Sequence, residues 1–267
     1  MARTQVVKRS GEREAFDPEK TKRAIMRVGV TSKEAEDILT RLDQQLYDGI
    51  TTEEIYRRVH QMLQGRKAAK FSLKKAILRL GPEGENFEKY VARLFRAEGY
   101  ETRNRLMLNG KCVQHETDIL MTKEGARSMV ECKFHNSLGL KCNIQCALYC
   151  YARFLDLSQT NQLERICLVT NTRFTSDVVR YAECVGMGLL GWRHPEGEGL
   201  EQLAERFHLY PVTMLEMARS HQSMLLANDF VLVNDILEHK SAFRLLMPRN
   251  VAEDLERQVN ELLSDQA

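Results

Sequence analysis

Three residues pose the first chemical question. Asp118 closes the segment His115-Glu116-Thr117-Asp118, and Glu131 and Lys133 lie in Val130-Glu131-Cys132-Lys133. Both segments read as strands, at 117–121 and 128–133, joined by a turn that contains Gly125. Side chains alternate along a strand, so Glu131 and Lys133 face one way and Val130 and Cys132 the other. A hairpin neighbour brings Asp118 beside Glu131. Two carboxylates with an ammonium one pleat away make a hard-oxygen site for Mg²⁺, with a cation near a reacting phosphate. Mg²⁺ polarises a phosphate and lowers the pKa of a bound water. The lysine orients that water or stabilises developing charge. Taken alone, the triplet reads more readily as a solvated cross-strand charge pair.

A second group of residues suits phosphate. Lys8-Arg9 sits beside Gly11 in a hairpin turn, and Lys20 and Lys22-Arg23 follow on a helix. Clustered cations beside exposed backbone N–H groups bind phosphate oxygens. On charge alone the default for such a hairpin is a solvated face. No G-x-x-x-x-G-K-[ST] sequence occurs, so a bound nucleotide is expected to be sensed rather than hydrolysed.

The elements that must position these groups follow from punctuation and periodicity. A hairpin over 4–16 precedes a helix opened by Asp17-Pro18, an N-cap and a first-turn proline. Three more helices start near Thr31-Ser32, Thr51-Thr52 and Arg66. Gly81-Pro82-Glu83-Gly84 is the clearest break, and a domain boundary is expected there. A helix over 86–97 is followed by strands at 100–103, 117–121 and 128–133, and by a helix over 143–157. A strand at 165–170, a helix at 176–185 and a short strand at 188–192 follow. That order implies an α/β (α+β) layered core. Residues 198–267 read as helices only. The expected division is 1–80, 81–195 and a helical 196–267.

Separated motifs carry two resemblances. Val7-Lys8-Arg9-x-Gly11, Phe16-Asp17-x-x-Lys20 and Tyr47-Asp48-Gly49-Ile50-Thr51-Thr52 resemble the ATP-cone domain, the ATP/dATP-binding regulatory module of ribonucleotide reductases, across about 4–80. The resemblance implies phosphate contacts from Lys8, Arg9 and Lys20, polar contacts from Glu14 and Asp17, and Thr52 near the base. Leu46 stands where an aromatic is sometimes found, which leaves base stacking in doubt. Lys74, Lys75 or Arg79 is a further candidate, with no choice among them. Across about 83–193, the helix opened by Asn86-Phe87-Glu88, the carboxylate strands, and Leu168-Val169-Thr170-Asn171-x-x-Phe174-Thr175 resemble the Mrr-like branch of the PD-(D/E)XK restriction endonucleases. That resemblance implies Asp118 and Glu131 as Mg²⁺ (or Mn²⁺) ligands and Lys133 beside the attacking water. It matches Glu88 to the acidic residue of the first helix and Gln145 to a polar residue of the later one. Glu-x-Lys stands where Mrr proteins more usually have Gln-x-Lys. His135 is expected to be structural, with phosphate or the metal edge as the other option.

Composition bounds the rest. The chain has 267 residues and a formal net charge of +2. Residues 1–80 carry 18 Lys+Arg against 11 Asp+Glu, residues 81–195 carry 15 against 13, and residues 196–267 carry 6 against 13. The acidic tail is the part least suited to DNA. DNA contacts are therefore expected from a local patch such as Arg103 and Arg105, from the basic first domain, or from an oligomer. The polar start Met1-Ala2-Arg3-Thr4-Gln5 and the lack of a long apolar run lead us to expect a cytoplasmic chain without membrane contact. Seven cysteines without a Cys-x-x-Cys pair read as reduced thiols. Cys142, Cys146 and Cys150 fall on one stripe and Ile144, Leu148, Tyr151 and Leu155 on another, so this helix is expected to be buried, with a homo-oligomer contact possible. Gly186-x-Gly188-x-x-Gly191 lacks the strand before and helix after that a dinucleotide site needs. The leading expectation is a metal-dependent deoxyribonuclease regulated by ATP or dATP. The alternative is a non-catalytic ATP-sensing DNA-binding protein.

Overall fold

The computed structural model describes residues 4–264 apart from 9, 64 and 138, and Arg9, with its expected phosphate contact, lies outside the described residues. The chain divides into two units, one holding the described residues up to 73 with those from 260 onward, the other spanning 74–259.

In the first unit β1 (Gln5–Val7) and β2 (Arg13–Ala15) pair antiparallel with Gln5 opposite Ala15. Gly11 turns the hairpin at φ +85°, a conformation that favours glycine. A third strand, β3 (Ile50–Thr51), pairs parallel to β1, with Val6 opposite Ile50. Sequence periodicity does not show it, because two residues are too few to alternate. Asp48 secures it by accepting the Gln5 N–H at 2.9 Å. Helix α1 (Pro18–Met26) is capped by Asp17, which accepts the Lys20 N–H at 3.0 Å. Helix α2 (Ser32–Asp43) opens with a Thr31/Glu34 capping box. Helix α3 (Thr52–Met62) is capped by Thr51. Val6, Ile25, Ala35, Leu42, Ile50 and Val59 form the core beneath them. Helix α4 (Gly65–Leu78) follows.

The second unit is built on a mixed sheet. Helix α5 (Glu85–Ala97) leads into β4 (Glu101–Asn109), β5 (Gln114–Lys123) and β6 (Ala126–Lys133). Then come β7 (Lys141–Cys142), α6 (Ile144–Asn161), β8 (Leu163–Thr170), β9 (Arg173–Phe174), α7 (Ser176–Val185) and β10 (Gly188–Leu190). The five-stranded order is β10-β8-β6-β5-β4, which puts β6 in the middle. It pairs antiparallel with β5 and parallel with β8. Ser128, Met129, Val130 and Glu131 are buried in succession, as expected of a strand covered on both faces. Met129 joins the core that α6 and α7 cover. The structure is thus mixed α/β with a helical end, as expected. It corrects one reading of α6. Leu148 and Leu155 are exposed, while Cys142 and Cys150 are buried and Cys146 packs on the same core. The cysteine side of the helix is covered, and of the other stripe Ile144 and Tyr151 pack on the core while Leu148 and Leu155 do not.

The remaining helices are α8 (Leu200–Arg206), α9 (Arg219–Ala227), α10 (Val233–Glu238), α11 (Lys240–Leu246) and α12 (Arg249–Ser264). The segments around Tyr210 and Val231 meet in an antiparallel bridge, Pro211 to Leu232. Asp235, buried, accepts the N–H groups of Val231 and Leu232 at 2.9 and 2.8 Å and faces Arg93 at 3.3 Å. Tyr90 of α5 donates to the Leu209 carbonyl at 3.0 Å, so this end of the chain fixes the helix that carries Glu88. Among the described residues no helix is long and apolar enough to cross a membrane. Removing the Asp235 carboxylate leaves two buried donors unpaired, so Asp235→Ala is expected to cost about 2–3 kcal/mol in urea denaturation. A change within about 0.5 kcal/mol would show that this cap is not structural.

Candidate active site and nucleotide cleft

The carboxylates sit where the β5–β6 ladder ends. Ile119 pairs with Val130. One residue further, Asp118 Oδ2 accepts the Cys132 N–H at 2.7 Å, so a side chain replaces the next backbone contact. Glu131 is buried, and both of its oxygens are engaged. Lys133 Nζ reaches Oε1 at 2.8 Å and Arg153 of α6 reaches Oε2 at 2.7 Å. The Lys133 contact follows from strand alternation. Arg153 was not legible in the sequence: it lies 22 residues away on the helix that covers this face.

Charge at the site is uneven. Burial and the nearby Glu131 push the Asp118 carboxyl up to about 6. Glu88, on α5, is pushed up to about 7 by burial and by Asp118. Its Oε2 is buried without a hydrogen-bond partner. Burial opposes the charge on Lys133, but Glu131 outweighs it and holds this lysine above its ordinary value. Lys133 is therefore a fixed ammonium at neutral pH. Asp118, Glu131, Lys133 and Glu88 are brought together. Gln145 is exposed on the first turn of α6, and among the described residues no hydrogen bond links it to them.

Two carboxylates held back from full ionisation and an orphaned carboxylate oxygen fit a hard divalent cation. Asp118 and Glu131 would hold it, with Glu88 facing them. Among the described residues no group of three or more His, Cys, Asp or Glu forms a ready metal cage. An open Mg²⁺ site needs none, because waters and substrate phosphate complete its shell. His135 is structural in its contacts: Nδ1 meets the Thr170 and Thr172 hydroxyls at 3.2 and 3.0 Å, and Asn171 brackets its backbone at 2.8 and 2.9 Å. The expected DNA patch is altered, because exposed Arg105 is paired with Glu85 at 2.9 Å and Glu116 at 3.0 Å. Arg105 has φ +52°, beside Asp118 on the neighbouring strand.

In the first unit a cavity of about 200 Å³ is lined by Glu14, Asp17, Lys20 and Thr52, with Phe16, Ile55, Tyr56 and Phe71 on its apolar side. Glu14 binds both lysines of the expected phosphate site, Lys8 at 2.8 Å and Lys20 at 3.4 Å. Lys8 holds the Glu14 carboxyl below its ordinary value. Aromatic lining is present after all. Tyr56 and Phe71 stack at 4.8 Å, one from α3 and one from α4, where separation in sequence hid the pair. Of the open candidates, Lys74 lies over the Trp192 ring and Arg79 donates to the Thr213 carbonyl, and neither lines this cavity.

Comparison with known proteins agrees with both regions. The ATP cone domain family matches residues 4–80, and a restriction endonuclease family, the Mrr catalytic domain, matches 81–190. An uncharacterized protein of Archaeoglobus fulgidus is 37% identical over 147 residues, which is 55% of this chain and 83% of that one. The crystal structure of a protein of unknown function, AF1548, is similar with a TM-score of 0.61 at 32% identity, covering 68% of this chain and 99% of its own. The chain belongs to the proteins that join an ATP cone domain to a restriction endonuclease domain of the Mrr catalytic type.

Proposed function

We propose that this protein is a metal-dependent deoxyribonuclease whose activity is set by ATP or dATP in the cone. The observation that carries the reading is the convergence of Asp118, Glu131, Lys133 and Glu88 at one end of the sheet, with a buried carboxylate oxygen left unpaired. The proposed boundaries remain 1–80, 81–195 and 196–267. When bound, Mg²⁺ or Mn²⁺ would polarise the scissile phosphate and acidify its water. Asp118 and Glu131 hold the cation. Lys133, a fixed ammonium, stabilises the charge that develops on the phosphate and is not a general base. Glu88 completes the acidic face, and Gln145 is kept as a peripheral polar contact to the substrate. In the cone, Lys8, Arg9 and Lys20 bind phosphates, Glu14 holds the two lysines in place, Asp17 caps the helix that carries Lys20, and the apolar side with Thr52 receives the base.

A second reading has one observation in its favour. Glu131 is already satisfied by Lys133 and Arg153, as in a purely structural ion triad. It describes a non-catalytic, nucleotide-sensing DNA-binding protein.

Cleavage of plasmid and linear DNA separates the two, with Mg²⁺ or Mn²⁺ and with ATP or dATP varied. Asp118→Ala and Lys133→Ala are each expected to lower the rate by about 100-fold or more. A wild type that never cuts, or an Asp118→Ala variant that cuts equally well, supports the second reading. Lys8→Ala combined with Lys20→Ala is expected to weaken ATP binding by about 10-fold or more, through lost charge-assisted hydrogen bonds. Unchanged affinity in calorimetry removes the phosphate assignment. The third test uses pH. Carboxylates raised to about 6 and about 7 favour the protonated folded state, so the metal-free fold loses their contribution as pH rises through that range. Mg²⁺ needs the ionised form. Its stabilisation of the fold, read as a rise in Tm, is expected to be small near about pH 5 and larger near about pH 8. An equal rise at both places the cation elsewhere.

A further inference from the structure

Beyond the carboxylate site, four cations gather where the parallel strands end. β7 pairs parallel with β9, and Lys141 stands opposite Arg173. Both are exposed, and like charges facing across a ladder repel. The next layer is Trp192, whose N–H donates to the Thr172 carbonyl at 2.9 Å. Lys74 Nζ lies 5.3 Å from the centroid of the Trp192 ring. Arg193 follows Trp192 and pairs with Glu201 through both guanidinium and carboxylate. Glu201 offsets Lys74, while Arg173 and Arg193 oppose its charge. Burial first, and these two arginines next, push Lys74 down to about 8.

The cluster is close to the proposed chemistry. Thr170 stands opposite Lys133 in the β6–β8 register, and its hydroxyl donates to the Lys133 carbonyl at 2.8 Å. Arg173 is three residues further along the same chain, a reach of at most about 10 Å. Arg105, expected from the sequence to serve DNA, is instead occupied by two glutamates.

We propose that Lys141 and Arg173, with Lys74 behind them beside Trp192, form a shelf that binds DNA backbone phosphates beside the scissile one. This rests on the nuclease reading for its substrate, but its test does not need cleavage. Contacts of this kind position the duplex and do not read its sequence. Trp192 is buried and supports Lys74 without stacking on a base.

The test measures binding of the full chain to a fluorescein-labelled DNA duplex in EDTA, by anisotropy across a salt series. Lys141→Ala combined with Arg173→Ala changes two exposed side chains, and circular dichroism checks that the fold persists. The pair is expected to weaken binding by about 10-fold and to lower the slope of log K against log salt by about 2, with no dependence on sequence. Arg165→Ala combined with Lys123→Ala, at the opposite end of the strands, is expected to do neither. A wild type that does not bind, or a Lys141/Arg173 variant with unchanged affinity and slope, overturns the shelf. If no metal supports cutting but the variant still loses affinity and slope, the nuclease reading fails and the shelf stands.

Discussion

Glu131 is a carboxylate buried at the end of the central strand, and the second unit is arranged to keep it there. Burying a lone charge is costly enough that such a group ordinarily loses its charge. Here Lys133, two residues along the strand, and Arg153, from the helix above, take one oxygen each. The Lys133 contact needs only alternation along β6, whereas the Arg153 contact needs α6 to cover this face of the sheet. The parallel neighbour of β6, β8, must end at Thr170 to hold Lys133 in register. Asp118 is then forced close to a second negative charge, and its raised pKa follows from that crowding and from burial. The raised carboxyls of Asp118 and Glu88 suit the divalent cation proposed for this site.

The first unit meets a comparable constraint with the opposite sign. Lys8 and Lys20 would repel each other in an empty phosphate site, and Glu14 stands between them. In the proposed phosphate site a nucleotide phosphate would compete with that carboxylate for the lysines. Exchange of one anion for another is a physical basis for reversible sensing, and it leaves the cations in place when no nucleotide is bound. The apolar wall is supplied by Phe71, near the end of this unit, stacked on Tyr56.

Much of this was readable from residue order. The Asp17-Pro18 cap, the helix start at Thr31-Ser32 and the break at Gly81–Gly84 are local signals, and each depends on neighbours within a few residues. Alternation alone placed Lys133 beside Glu131. The two-residue strands β3, β7 and β9 were invisible because they have no periodicity and exist through pairing with distant partners. The exposed side of α6 was misjudged for a related reason: an apolar stripe shows what could be covered, not whether anything covers it.

The sequence by itself determined which residues could do chemistry and which face each would take: two carboxylates and a lysine at strand spacing, and cations around a glycine turn before a capped helix. Tertiary structure alone decided their electrical state and company. It brought Arg153 to Glu131, set Glu88 against Asp118, occupied Arg105 with two glutamates, stacked Phe71 on Tyr56, and set Lys141 opposite Arg173 with Lys74 beside Trp192. The reason is physical. Propensity, capping and alternation act over a few residues, whereas burial and Coulomb interaction depend on distance in space, which folding sets between segments far apart in the chain.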